Sequence, residues 1–268
     1  MAKPATEAEF DDAAVAQAYA YRPPYAADAL QCLLAISPRH NRLVDLGCGS
    51  GKVINALAPH FLSCTGVDLS QPMLDVAASN APQHSDIGWE CAAAEVAALG
   101  EQPIDLVTAG ASIHWMNHAQ LFPRLRSALA PDGWFATIDG DGPDQPPWEA
   151  DWQDFLARWI PRLTGQSYQP NQSNSSFNQR MNRHLAWLDV HGHQDHLSEW
   201  VVQSIDDFIR CQHSRATFTL AQLGDQAANF NAELRALLDP YSRDDCVRYR
   251  VRSTVTWGRP LATPKKEI

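Results

Sequence analysis

The sequence contains no apolar run near the roughly 20 residues that a membrane-spanning helix needs. Its opening stretch, MAKPATEAEF, lacks the charged and apolar regions of a signal peptide, so a cytoplasmic protein without membrane partners is expected. Basic residues are short: 21 Lys and Arg face 31 Asp and Glu, a formal net charge of −10. That deficit argues against a broad nucleic-acid surface, because phosphate binding relies on Lys and Arg. A C-x-x-C pair is missing too. The six cysteines (Cys32, Cys48, Cys64, Cys91, Cys211 and Cys246) are scattered, as free thiols in a reducing compartment would be. In that compartment the N-x-S sequons at Asn171 and Asn174 carry no meaning. What remains is 268 residues, enough for one packed domain with an insertion.

The organising stretch is NRLVDLGCGSGK, Asn41 to Lys52. Leu43, Val44 and Leu46 predict a strand buried on both faces of a parallel sheet. Asp45 closes the strand, and Gly47, Cys48, Gly49, Ser50 and Gly51 predict a tight turn before a helix over 55–62. A glycine turn at that junction lets backbone N–H groups approach a ligand that a Cβ would hold off. Three glycines at alternate positions after an acidic strand end resemble motif I of the class I S-adenosylmethionine (SAM) methyltransferases. A dinucleotide fingerprint would place its third glycine one residue later.

Further along, strands are predicted at Ser63–Leu69, Ile87–Cys91, Ile104–Gly110 and Trp134–Asp139, with helices at Met73–Asn80 and Ala119–Leu129 between them. This alternation is that of a doubly wound α/β sheet. Asp68 ends the second strand about 20 residues past the glycine turn, where such folds place a carboxylate on ribose hydroxyls. It could instead cap the next helix, a role that Ser70 fills better. IDLVTAGASIHW, Ile104 to Trp115, resembles motif IV of methyltransferases of the trans-aconitate and small-molecule (type 11) group, and YAYRPPY, Tyr19 to Tyr25, resembles their N-terminal segment. The resemblance implies SAM as cofactor, its amino-acid end near Asp45, Gly47, Cys48 and Gly49 and its ribose on Asp68. Tyr19 and Arg22 are implied beside the methionyl carboxylate, although a packing role for that segment is equally open. Leu69, Met73 and Ala109 are implied as further lining. Adenine is implied at Ala94 and Glu95, where the usual Asp-Ala-Glu is replaced by an alanine at Ala93. His114 is either a base or a structural residue, and Trp115 is implied on the acceptor side.

The second half is less legible. DGDGPDQPP, from Asp139, brings Asp139, Asp141 and Asp144 together, but turn formation explains the loop as well as a metal does. Trp152, Phe155 and Trp159 form one stripe of a helix over 149–163, with Trp148 beside it; the stripe is either core or acceptor pocket. HGHQDH, His191 to His196, fits no zinc spacing, and Gly192 is expected as a helix cap. A strand over 197–204 and a charged–apolar alternation from Cys246 to Trp257 predict two more strands, the last antiparallel. Arg210 and Arg215 can anchor an anionic acceptor or can simply be solvated. No metal is expected.

The expected architecture is therefore α/β: a Rossmann-like seven-stranded sheet, mostly parallel with an antiparallel last strand, plus a helical substrate cover. One methyltransferase domain would span 1–268, with lid helices at 1–38, the SAM-binding half at 41–140, the cover at 141–245 and the last strand at 246–258. The implied function is SAM-dependent methyl transfer to a carboxylate, hydroxyl or amine of a small-molecule acceptor. A carrier-protein-bound acyl acceptor and a non-catalytic SAM-binding module are the alternatives, and the sequence leaves the oligomeric state open.

Overall fold

The computed structural model describes residues 13–140, 142–168 and 182–265. Asp141 and both sequons lie outside them. The helices are α1 (Ala13–Ala18), α2 (Ala27–Ile36), α3 (Lys52–Leu57), α4 (Gln71–Ser79), α5 (His118–Ala128), α6 (Glu149–Thr164), α7 (Ile205–Gln212), α8 (Leu220–Leu223) and α9 (Ala227–Leu238). The strands are β1 (Arg42–Leu46), β2 (Ser63–Asp68), β3 (Ile87–Cys91), β4 (Ile104–Gly110), β5 (Leu129–Asp139), β6 (Pro143–Asp144), β7 (Leu188–Leu197), β8 (Val201–Ser204) and β9 (Cys246–Pro260). No helix among the described residues is long and apolar enough to cross a membrane.

The chain divides into two compact units. The sheet unit comprises Pro24–Gly140, Gln179–Ser198 and Arg252–Ile268. Its strands run in the order β3-β2-β1-β4-β5-β9, with β7 pairing on β9. β1 to β5 are parallel, and β9 is antiparallel to both β5 and β7. β1 is central because both its faces are apolar. Leu43 packs with Leu33, Ile54 and Leu57 of α2 and α3. Val44 and Leu46 join Leu121, Phe122 and Leu125 of α5 on the other face. Asp105 is buried at the start of β4, where its Oδ2 accepts the N–H groups of Asn41 (2.8 Å) and Arg42 (3.1 Å). That carboxylate fixes where β1 begins.

Four sequence expectations need correction. Among the described residues there are nine strands rather than the expected seven, because β6 and β8 add pairs to the first part of β9. The helix after the glycine turn starts at Lys52 rather than Asn55 and ends at Leu57, two residues before Pro59, which cannot continue a helix. β5 begins at Leu129 rather than at the expected Trp134, because Ala130 to Gly133 forms a bulge within it and the register shifts between Ile104 and Leu106. Gly192 lies inside β7 instead of capping a helix. A Cβ there would sit 2.0 Å from the Trp257 ring, so the glycine lets β9's tryptophan lie flat against the edge strand.

The helical unit comprises Met1–Pro23, Asp141–Asn178 and Glu199–Val251. Ser204 caps α7 through Asp207 N–H, and Thr219 caps α8 through Gln222 N–H. Its core is aromatic: Trp148, Phe155, Trp159, Phe208, Phe230 and Tyr249 pack with Val247 and Val251. The Trp159 indole N–H donates to Glu233 Oε2 at 2.9 Å, which satisfies the one polar atom that ring buries.

Candidate active site

The turn after β1 holds the densest set of functional groups. Gly47 has φ +61°, and a Cβ there would fall 2.6 Å from Ser112 Cβ. Both the backbone and the space demand glycine. Gly51 also takes a left-handed φ of +83° as it opens α3. Ser112 Oγ donates to Leu46 O at 2.7 Å, joining the segment after β4 to the end of β1. Cys48 is buried, its N–H bonded to Val67 O at 3.0 Å, and burial holds its thiol well above the ordinary range.

Asp45 is 1 % exposed. Its Oδ1 accepts from Thr108 Oγ1 at 2.7 Å, while Oδ2 has no hydrogen bond of good geometry among the described residues. Burial pushes its carboxyl up to about 7, against the lowering effect of Thr108. Asp68 ends the neighbouring strand. It accepts Gly49 N–H at 2.7 Å on Oδ2 and Ser70 N–H at 2.9 Å on Oδ1. Ser70, not Asp68, is the cap of α4, accepting Met73 N–H at 3.3 Å. Met73 is buried, and Leu69 is exposed.

The loop after β3 carries Ala93, Ala94 and Glu95. Arg124 of α5 pins it by donating to the carbonyls of Ala94, Glu95 and Ala97. The Glu95 carboxylate accepts Asn117 N–H. Ala109 is fully buried in β4. Beyond β4, Ala111 adopts φ +48° and its N–H bonds Ile138 O at 2.9 Å. A short 3-10 turn, Ile113–Trp115, follows. It sets the His114 ring 4.8 Å from that of Trp115, which is 43 % exposed.

Other sequence candidates belong to the helical unit. The Arg22 guanidinium lies 4.0 Å from the Tyr19 ring centroid; its Nε donates to Ser214 Oγ at 2.7 Å and Nη2 to Ser214 O at 3.0 Å. Arg210 bonds Asp207 (3.3 Å) and the Tyr21 hydroxyl (3.4 Å). Arg215 Nε donates to Gln212 Oε1 at 3.0 Å. Trp148 is core, with Phe208 and Tyr249 edge-on to it. Within the sheet unit the structure thus brings Asp45, Gly47, Cys48, Gly49 and Asp68 together. The sequence reading missed Thr108, Ser112 and Arg124, whose partners are set by tertiary packing.

Among the described residues, no group of three or more His, Cys, Asp or Glu could hold a metal ion.

The description "Methyltransferase domain" matches residues 44–137. Trans-aconitate 2-methyltransferase of Variovorax paradoxus is 38 % identical over 112 residues, which are 41 % of this chain and 42 % of that protein. The enzyme of that name from Methylobacterium nodulans is 37 % identical over 125 residues, 45 % and 46 % of the two chains. The chain therefore spans less than half the length of these curated relatives. A solved chain from Anaeromyxobacter dehalogenans, classed with the type II methyltransferases, superposes with a TM-score of 0.68 over 90 % of this chain and 99 % of that one. At 20 % identity that likeness is one of fold. The central strands and the glycine turn fall inside the matched segment, so residues 44–137 are the part of this chain that is similar to methyltransferase domains.

Proposed function

We propose that this chain is a SAM-dependent methyltransferase acting on a small-molecule acceptor. The observation that carries the reading is the pair of acidic strand ends around one glycine turn. Asp45 keeps a buried oxygen without a hydrogen bond of good geometry among the described residues, and Gly47 keeps a backbone edge clear of any Cβ. These residues fit the cofactor: an ammonium group suits a desolvated carboxylate, and a ribose diol suits the acceptor oxygens of Asp68. When bound, the cofactor supplies an electrophilic methyl group on a sulfonium.

The chain's own residues then hold and desolvate. In the proposal Asp45, Gly47, Cys48 and Gly49 take the amino-acid end. Asp68 binds ribose, Leu69 and Met73 line it, and Ala94 and Glu95 meet adenine beside Ala109. Arg124 supports that reading by fixing the adenine loop's carbonyls. A carboxylate acceptor is already nucleophilic and needs positioning in a dry site more than proton transfer. A hydroxyl or amine acceptor would need His114 as base. Trp115 is the acceptor-side candidate of the sheet unit, and Arg210 and Arg215 are those of the helical unit, where Trp148 is closed off as core. The family match lies inside the sheet unit and does not reach residues 141–251, so it names no acceptor.

The test has two arms. Calorimetry should show S-adenosylhomocysteine binding, weakened by about 1–3 kcal/mol in Asp68→Ala, the cost of leaving buried polar groups unpaired. Methyl-labelled SAM incubated with the protein and a metabolite extract should label a low-molecular-weight product. Labelling of a carrier protein would redirect the acceptor assignment, and binding with no labelling at all would leave a SAM-binding module.

A further inference from the structure

We propose that Thr108 is a positioning residue for the cofactor: it holds one oxygen of Asp45, so that the other is left to accept the ammonium of the amino-acid end. The inference rests on the cofactor reading above and uses only residues of the sheet unit.

Thr108 and Asp45 are register partners on adjacent parallel strands, β4 and β1. Both are buried, and the hydroxyl-to-carboxylate distance is 2.7 Å. Thr108 Oγ1 therefore donates to Oδ1 and fixes the plane of the carboxylate. The register partner on the other side, in β2, is Gly66, which brings no side chain. Oδ2 is left as a buried acceptor without a hydrogen bond of good geometry among the described residues, although the Ile54 N–H of α3 faces the carboxylate. Leaving such a group unsatisfied is costly, so its retention asks for a ligand. A cationic donor answers this better than a neutral one, because a charge-assisted hydrogen bond is the stronger.

The groups that face Asp45 are few. Asp68 from β2 and burial itself oppose its ionisation, whereas the Thr108 hydroxyl and the backbone N–H of Ile54 in α3 favour it. Cys48 in the turn is a neutral thiol. Removing the Thr108 donor therefore does two things: it loosens the carboxylate and makes its ionised form harder to reach. Both weaken binding of an ammonium, and neither touches recognition of adenosine.

The experiment is calorimetry on the full chain with two probes, S-adenosylhomocysteine and 5′-methylthioadenosine, the second lacking the amino-acid end. Thr108→Val keeps the shape and deletes the donor, Thr108→Ser restores the donor, and Thr108→Cys is a second, weaker-donor variant in case valine impairs folding. At pH 7.5, Thr108→Val should bind S-adenosylhomocysteine about 10-fold or more weakly, the loss expected for one hydrogen bond to a charged group. Methylthioadenosine should bind all variants alike, Thr108→Ser should match the parent and Thr108→Cys should fall between. In the parent, affinity for S-adenosylhomocysteine should fall as pH drops below about 7, and in Thr108→Val that fall should begin at higher pH. Equal loss of both probes would mean general damage to the site and would overturn the proposal. So would a valine variant with the parent's affinity and pH profile. If the parent binds no S-adenosylhomocysteine, the cofactor reading fails first and takes this inference with it.

Discussion

Asp45 shows what a single buried carboxyl costs when no ligand is present. Its folded value of about 7 stands above the ordinary 3.8 because burial penalises the charged form. Below about pH 4 both folded and unfolded chains hold the proton, and the group contributes nothing to the pH dependence. Between about 4 and 7 only the folded chain holds it, so raising the pH favours unfolding; above about 7 the destabilisation is complete. Asp45→Asn removes the charge at nearly constant shape. Urea unfolding should show it more stable than the parent at pH 8 by about 1–3 kcal/mol, with the difference shrinking toward pH 4.5. The same variant should bind S-adenosylhomocysteine more weakly. A buried group kept at a cost to stability and needed for a ligand is what a binding site implies.

At the scale of elements, the β1-to-α3 turn is built from exclusions. Gly47 sits against Ser112, and Ser112 in turn bonds the Leu46 carbonyl, so the segment after β4 is drawn onto the end of β1. Gly47→Ala would combine a positive φ with a Cβ 2.6 Å from Ser112. Melting curves should show a loss of about 1–3 kcal/mol, and S-adenosylhomocysteine binding should drop with it. Gly49→Ala is the control, since its Cβ would meet nothing within 4 Å and only the backbone term remains. The edge strand β7 makes a related point. A histidine-rich stretch that invites a metal or helix-cap reading is a strand whose His193 bonds Thr256 on β9 at 2.9 Å.

At the scale of the whole molecule, the sheet unit and the helical unit are each compact, and the family match ends at residue 137, short of Arg210 and Arg215. In an acidic chain of net charge −10, an anionic acceptor requires a local cation. Arg215→Met and Arg210→Met should raise KM for such an acceptor and leave cofactor affinity unchanged; steady-state kinetics with the product found by labelling checks this. If both variants retain the parent KM, the acceptor is neutral and a pH–rate profile should report His114. Because no metal enters the proposal, incubation with a chelator should change neither the melting temperature nor S-adenosylhomocysteine binding. Loss of activity restored by zinc or magnesium would contradict it.

The sequence by itself determined the sheet's first half. A strand buried on both faces must be continuously apolar, a turn that admits a ligand must be glycine-rich, and a carboxylate at a strand end is visible as a letter. Asp45, Gly47 and Asp68 could be read for those reasons, as could the strand–helix alternation to Asp139. Tertiary structure alone decided the rest. Thr108 and Asp45 are 63 residues apart, and Ser112 and Leu46 are 66 apart; only the register of β4 on β1 makes them partners. Whether Gly192 capped a helix or lay in a strand depended on Trp257 arriving opposite it. Whether Trp148 lined a pocket or a core depended on Phe208 and Tyr249 closing around it. Local sequence carries the cost of a backbone conformation and the period of a face, but a buried polar group's partner is chosen by the neighbouring strand.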